Sequence, residues 1–171
     1  MILDSGARRE FETGAVRDIQ DGKGRTDLLP LDVVGMLLQR SGNDKQCTML
    51  CKINDYVRYG EICGLFDAVL LFAEEQGIDI YTMIIEVSKH FEEGAKKYKA
   101  RNWEKGINTH CYIDSAVRHL LKFWRGDKDE SHSRAFVWGM LCCVWTHFNH
   151  ENLRDLPHAI KDSQENESCE I

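Results

Sequence analysis

The sequence lacks the features that mark membrane, exported and repetitive proteins. No apolar run approaches the roughly 18 to 20 residues that a membrane span requires, so we expect no membrane partner. The start MILDSGARRE has no apolar stretch of the signal-peptide kind, which predicts a cytoplasmic protein in a reducing compartment. Internal repeats and strand-like alternation of apolar and polar residues are also missing. These absences, with an ordinary globular composition, predict an all-α fold.

Regularly spaced cysteine pairs are absent as well. Among the seven cysteines only Cys47, Cys51 and Cys63 suggest zinc spacing, and small buried apolar residues explain them better. The formal net charge of -6 argues against a nucleic-acid polymer as the main partner, because such binding depends on neutralising phosphates. A small anion held through a metal remains compatible with this charge.

The length of 171 residues favours one helical domain over residues 1–160, followed by a flexible tail at 161–171. Within the domain, residues 1–30 interleave glycines with basic side chains, which predicts an irregular ligand-contacting arm. A flexible terminus would give the same composition. Residues 40–80 are interpreted as a helical insertion, although a separate partner-binding hairpin would show the same pattern.

The rest of the chain reads as helices with recognisable ends. One helix is entered through Pro30, and another of about five turns opens at Asp79, a capping residue. The segment CYIDSAVRHLLKFWRG has one apolar and one polar face. The segment SRAFVWGMLCCVWTHF is apolar nearly all round and is predicted to be the buried central helix.

The helix after Asp79 carries a polar stripe beside its apolar face. With the polar face of the next helix it gathers groups suited to Mg²⁺ or Mn²⁺, which favour oxygen ligands. The predicted metal ligands are Glu86, Glu93 and Asp114. Simple i, i+4 ion pairs, Glu93 with Lys97 and Asp114 with Arg118, are the alternative.

A triphosphate is the natural ligand of such a metal, so the neighbouring residues receive roles around it. His90 and His119 are candidates to orient the attacking water together with Glu93, or else they are ordinary histidines at the border of the core. Tyr98 or Trp103 could stack on a base, or pack in the core. The predicted substrate-binding residues are Arg17, Lys23, Arg25, Lys97, Tyr98, Asn102, Trp103 and Arg118.

Three segments together resemble a phage and prophage family, the dATP/dGTP diphosphohydrolase amino-terminal domain, related to the MazG-like all-α nucleotide pyrophosphohydrolases. They are GAVRDIQDGKGRTDLLP at 14–30, HFEEGAKKYKARNWEKG at 90–106 and YIDSAVRHLLKFWRGDKDE at 112–130. The resemblance implies a MazG-like helical bundle that hydrolyses dGTP or dATP to monophosphate and diphosphate with Mg²⁺. It also implies a homo-oligomer, because MazG-like folds usually complete their site with a partner subunit.

The resemblance has departures that affect the ligand set. Glu86, Glu92 or Glu93 can stand for the first acidic group of the MazG-like pattern, and Asp114 for the last acid of its E-x2-D motif. Cys111 occupies the place of that motif's glutamate, and Asp127 or Asp129 could complete the set instead. Two rival functions follow: a phage protein that binds a nucleotide without cleaving it, and a structural helical module in which residues 40–80 bind a protein.

Overall fold

The computed structural model describes residues 6–20 and 22–156, and in this part of the chain it confirms the all-α prediction. The tail at 161–171 lies outside the described residues. Among the described helices, none is long and apolar enough to cross a membrane. The elements are β1 (Arg8–Glu10), β2 (Val16–Asp18), a short 3-10 helix (Thr26–Leu28), α1 (Leu31–Arg40), α2 (Asp44–Tyr59), α3 (Ile62–Gln76), α4 (Ile80–Tyr98), a second 3-10 helix (Asn102–Lys105), α5 (Thr109–Arg125), α6 (His132–Asn149) and a third 3-10 helix (Glu151–Leu153).

The helix ends follow local chemistry. The Asp79 carboxylate accepts a hydrogen bond from the backbone N–H of Thr82 at 2.9 Å, so it caps α4 as the sequence indicates. Gly60 and Gly77 end α2 and α3 in the left-handed conformation, with φ of 72° and 64°. A side chain with a Cβ rarely adopts this conformation, which is why glycine stands at both stops.

The core lies around α5 and α6, which pack closely along their length. A Cβ built on Gly139 of α6 would lie only 2.8 Å from the Cβ of Ala116 on α5, so this crossing depends on the absence of a side chain. The predicted burial of the apolar segment that forms α6 is confirmed. From the other side, the ring of Phe72 on α3 meets Phe123 and Phe136 edge-on, at centroid distances of 5.1 and 4.9 Å. Residues 40–80 therefore pack on the main core through α3.

The amino-terminal arm contains the one feature of the described chain that an all-helical pattern does not predict, an antiparallel hairpin. β1 pairs with β2 so that Arg8 lies opposite Asp18, and their side chains form an ion pair of 2.9 Å. The Asn102 side-chain amide donates to the Val16 carbonyl at 3.0 Å and accepts from its N–H at 3.2 Å. Asn102 thus satisfies the edge of β2. Within the described residues, the arm therefore forms a hairpin that is bonded to the rest of the chain.

Candidate functional site

A cavity of about 660 Å³ lies between the arm, α4, α5 and α6. Its volume falls within the roughly 300 to 1,000 Å³ of small-molecule sites. It brings together most of the side chains that the sequence singles out. Those among its lining are Arg17, Lys23, His90, Tyr98, Asn102, Trp103, Asp114, Arg118 and His119.

The charge of the lining is opposite in sign to that of the chain. Three carboxylates line the cavity, against five cations, Arg9, Arg17, Lys23, Arg118 and Lys122. The formal excess is therefore two positive charges inside a protein of net charge -6. Because the cations converge on one concave surface, the cavity favours an anionic ligand.

Arg17 is held by both central helices rather than by the arm alone. Its Nη1 donates to the backbone carbonyl of Cys111 at 3.1 Å. Its guanidinium lies 5.7 Å from the ring centroid of Tyr112 and 5.5 Å from that of Trp138. These cation–π contacts fix the guanidinium at the cavity wall.

Asp114 anchors the arm to α5. This carboxylate, 0% exposed, accepts from the side-chain amide of Gln20 at 2.7 Å, the Thr26 N–H at 2.7 Å and Arg118 Nη1 at 2.8 Å. The predicted i, i+4 pair with Arg118 is therefore confirmed. The acceptor sites of Asp114 are already engaged by protein donors.

Of the two predicted histidines in the cavity wall, His90 is buried and His119 is half-buried, and both stay neutral at neutral pH. Burial lowers the pKa of His90 to about 4, and the charge of Glu93 only partly opposes this effect. Burial lowers the pKa of His119 to about 3, with further contributions from His132 and Arg118. A neutral imidazole offers one lone pair, which can accept a hydrogen bond from a water molecule.

The aromatic part of the wall is larger than the sequence suggests. Trp103 lines the cavity and meets Phe91 and Trp145 edge-on, so it is both part of the core and part of the wall. Tyr98 also lines it, and its hydroxyl donates to Asp18 at 2.9 Å. Tyr112 and Trp138 were missed, because a strongly apolar segment indicates burial and not which ring edges a cavity exposes.

Four of the predicted site residues do not line the cavity. The Lys97 ammonium pairs with Asp18 at 3.0 Å, and Arg25 pairs with Asp27 at 2.5 Å. Glu86 pairs with Arg134 of α6 at 2.5 Å and also with Lys89. Glu93 is half-buried on α4.

The structure does not gather the predicted metal ligands into one group. Among the described residues, Glu86, Glu93 and Asp114 do not bring three ligand atoms within 4.8 Å of one another. The physical reason is that Glu86 turns towards Arg134, while the Asp114 oxygens accept bonds from the arm. The cysteines that suggested zinc are not part of any such group in the described residues either.

Within residues 6–20 and 22–156, two other groups of side chains bring three possible metal-ligand atoms within 4.8 Å of one another. Asp127, Asp129 and His132 form one, which includes both alternative acids that the sequence offered. His119, Glu130 and His132 form the other. Glu130 and His132 were missed by the sequence interpretation, and the signal that could have found them is the acidic run ending in a histidine, DKDESH, after α5.

Cys111, which the resemblance aligns with the glutamate of the MazG-like E-x2-D motif, is buried. Its thiol lies 3.2 Å from His110 Nε2, and the other ring nitrogen of His110 bonds with Asp155. Hydrogen bonds to Asp155 and Cys111 raise the pKa of His110 to about 10. This group ties the segment after α6 to the start of α5.

Comparison with known proteins gave one family. Neither the curated proteins nor the solved structures included a significant match. The family model described as dATP/dGTP diphosphohydrolase, N-terminal, matches residues 74–156, which extend from the end of α3 through α6. The matched segment supplies His90, Trp103, Asp114, Arg118 and His119 to the cavity. This match over residues 74–156 supports the family that the sequence resembles, the dATP/dGTP diphosphohydrolase amino-terminal family.

Proposed function

We propose that the cavity binds a purine deoxynucleoside triphosphate, dGTP or dATP, and hydrolyses it to monophosphate and diphosphate. The observation that carries the proposal is the convergence of five cations and several aromatic rings on one cavity in an acidic chain. The name of the matching family supports the reaction class. A requirement for Mg²⁺ or Mn²⁺ is part of the proposal.

In this proposal the wall residues divide the work by chemistry. Arg17, Lys23 and Arg118 bind phosphate oxygens through charge-assisted hydrogen bonds. Trp103 provides an aromatic surface for the base, because a purine and an indole ring can stack on each other. His90, neutral and 8% exposed, offers a lone pair to the attacking water. In this proposal the wall residues bind the nucleotide and orient the attacking water.

The first experiment is phosphorus NMR of the purified chain with dGTP and then dATP, each with Mg²⁺, with Mn²⁺ and with a chelator. Appearance of diphosphate and a monophosphate only in the metal-containing samples is expected. Unchanged triphosphate in every sample would contradict the proposed hydrolysis.

A matched pair of lysine variants tests the location of the site. Lys23 lines the cavity, whereas Lys45 lies on α2 and pairs with Glu74 at 2.8 Å. Lys23→Gln should raise KM by roughly tenfold or more, the value of one charge-assisted hydrogen bond. Lys45→Gln should leave KM unchanged. Equal effects of the two substitutions would place substrate binding elsewhere.

The sequence-based catalytic role of Glu93 is tested separately. Glu93→Gln should abolish turnover while far-UV circular dichroism shows an intact fold. Full activity of this variant would show that Glu93 is not a catalytic residue. The proposed roles of His90 and of the cations of the cavity wall would then remain to be tested.

One observation favours a second candidate function, nucleotide binding without cleavage. The predicted carboxylates Glu86, Glu93 and Asp114 are not gathered into one group. A protein that only sequesters a nucleotide, or responds to it, does not need a catalytic group of carboxylates. Tight binding of dGTP by calorimetry, with no product in the NMR experiment over hours, would support this function and contradict hydrolysis.

We also propose that the chain forms a homo-oligomer, as MazG-like folds do. Large apolar side chains stand exposed on one face of α4, where Tyr81, Ile84 and Ile85 are 76%, 53% and 62% exposed. Their i, i+3, i+4 spacing makes a continuous apolar strip, which usually marks an interaction surface. Light scattering after size exclusion should show more than one copy, and Ile85→Asp should shift the mass towards the monomer. A monomeric wild type would refute this proposal.

A further inference from the structure

A cluster of two histidines and a glutamate borders the cavity where α5 gives way to α6. His119 lies on α5, and Glu130 and His132 follow in the connection and first residue of α6. His119 and Glu130 line the cavity, while His132 is only 2% exposed. The sequence interpretation gave His119 a catalytic role and Asp129 a possible place among the metal ligands, but it named neither Glu130 nor His132.

The three ligand atoms form a compact triangle. His119 Nδ1 lies 3.0 Å from His132 Nδ1 and 3.5 Å from Glu130 Oε1. His132 Nδ1 lies 3.8 Å from the same glutamate oxygen. Ligand atoms about 2.1 Å from one ion are separated by about 3.0 to 3.4 Å at adjacent octahedral or tetrahedral positions. The triangle therefore has close to the dimensions of one face of a coordination shell.

A fourth residue orients one of the imidazoles. Asp129 Oδ1 lies 2.6 Å from His132 Nε2, so the carboxylate accepts the proton on that nitrogen. The lone pair of His132 is then on Nδ1, which faces the triangle. Metal-binding histidines commonly have such a carboxylate partner, because it fixes the tautomer and raises the basicity of the ligand nitrogen. Asp129 is itself held by Lys122 at 3.0 Å.

We propose that His119, Glu130 and His132 bind a divalent transition-metal ion at the edge of the cavity, with Asp129 as the positioning residue. Two imidazole nitrogens and one carboxylate oxygen suit Mn²⁺, Co²⁺, Fe²⁺ or Zn²⁺ better than Mg²⁺, which prefers oxygen ligands. Three protein ligands leave coordination positions open, and the position of His119 and Glu130 in the lining directs them to the cavity. The role of the ion in nucleotide chemistry rests on the proposed function, whereas its binding does not.

The test is metal binding by the full-length chain after treatment with a chelator. Calorimetry with Mn²⁺, Zn²⁺ and Mg²⁺, and visible absorption with Co²⁺, should show one site per chain that prefers the transition metals to Mg²⁺ by at least about tenfold. His119→Gln and Glu130→Gln should each weaken binding by roughly 100-fold or more. Asp129→Asn should weaken it by about 10- to 100-fold.

His147→Gln is the matched control, because His147 also lies on α6 but contacts Tyr56, away from the cluster. It should bind metal as the wild type does, and circular dichroism should show that all four variants are folded. No transition-metal binding, or equal affinity in the wild type, His119→Gln and Glu130→Gln, would overturn the proposed site. Such a result would mean that His119 and His132 only form a hydrogen bond with each other.

The readouts separate this site from the proposed function. Metal binding that depends on His119 and Glu130, without any nucleotide hydrolysis, would support the site and contradict the proposed reaction. Hydrolysis with Mg²⁺ that is undiminished in Glu130→Gln, without transition-metal binding, would overturn the site and support the reaction.

Discussion

Replacing Asp114 with asparagine should loosen the arm and destabilise the whole chain. The carboxylate receives three short bonds, from Gln20, Thr26 and Arg118, at 2.7 to 2.8 Å. An asparagine has one acceptor oxygen and one amide that donates, so in either orientation at least one donor faces another donor. The substitution also leaves the Arg118 charge without its carboxylate in a site where Asp114 is 0% exposed.

The size of the effect follows from these contacts. A hydrogen bond to a charged group contributes about 1.5 to 3 kcal/mol, and removing one partner of a buried ion pair costs about 3 to 5 kcal/mol. The substituted side chain would keep one acceptor oxygen, and Arg118 would keep its bond to the Gly24 carbonyl at 3.1 Å. We therefore expect Asp114→Asn to lower the free energy of unfolding by about 2 to 4 kcal/mol.

Urea denaturation measures this loss, and hydrogen exchange at the Thr26 amide reports the release of the arm. Asp67→Asn is the control, because Asp67 forms an exposed pair with Lys52 at 3.2 Å and should have no measurable effect. The loss should be the same with Mg²⁺ and with a chelator, since it arises from protein donors. A loss below about 1 kcal/mol, or one that appears only with metal, would refute the role of Asp114 as an anchor.

Three further predictions concern stability and access to the cavity. Because the folded-state pKa of His110 is about 10 against an ordinary 6.5, its bond to Asp155 stabilises the fold below pH 6.5, and this contribution is lost as pH rises to about 10. The bond also needs an ionised Asp155, whose pKa is lowered from the ordinary 3.8 to about 2 in the folded protein. Unfolding measured against pH should therefore show Asp155→Asn roughly 2 to 4 kcal/mol less stable at about pH 5 to 6.5, with the difference shrinking towards pH 10; a constant difference would contradict this. A Cβ on Gly94 would meet nothing within 4 Å, so Gly94→Ala should raise stability by up to about 1 kcal/mol. Gly94 lines the cavity, so Gly94→Trp should instead weaken nucleotide binding by filling it, and unaltered affinity would show that the ligand binds elsewhere.

Local signals in the sequence were sufficient for the helices and for much of the cavity wall. Asp79 and Gly77 mark helix ends because capping and left-handed φ are decided within a few residues. Arg118 and His119 could be placed beside Asp114 because helical spacing is regular. These predictions concern one element at a time.

The remaining features depend on contacts between distant segments, which periodicity does not report. The hairpin pairs only three residues on each side, too few to give a recognisable alternation. Glu86 was expected to face a metal, but its direction is decided by Arg134 on another helix, 48 positions further along the chain. His132 and Glu130 meet His119 only because the connection between α5 and α6 folds back, so their grouping is a tertiary property.

The anchoring of the arm has a consequence for the order in which the chain can become competent. Gln20 and Thr26 precede their partner Asp114 by 94 and 88 positions in the chain. Contacts of such large sequence separation carry a high loop-closure cost and form late in folding. Arg17 likewise waits for the carbonyl of Cys111, 94 positions later. A growing chain would therefore carry Arg17 and the arm without their partners until α5 has been synthesised, so the cavity could hold a ligand only after that point.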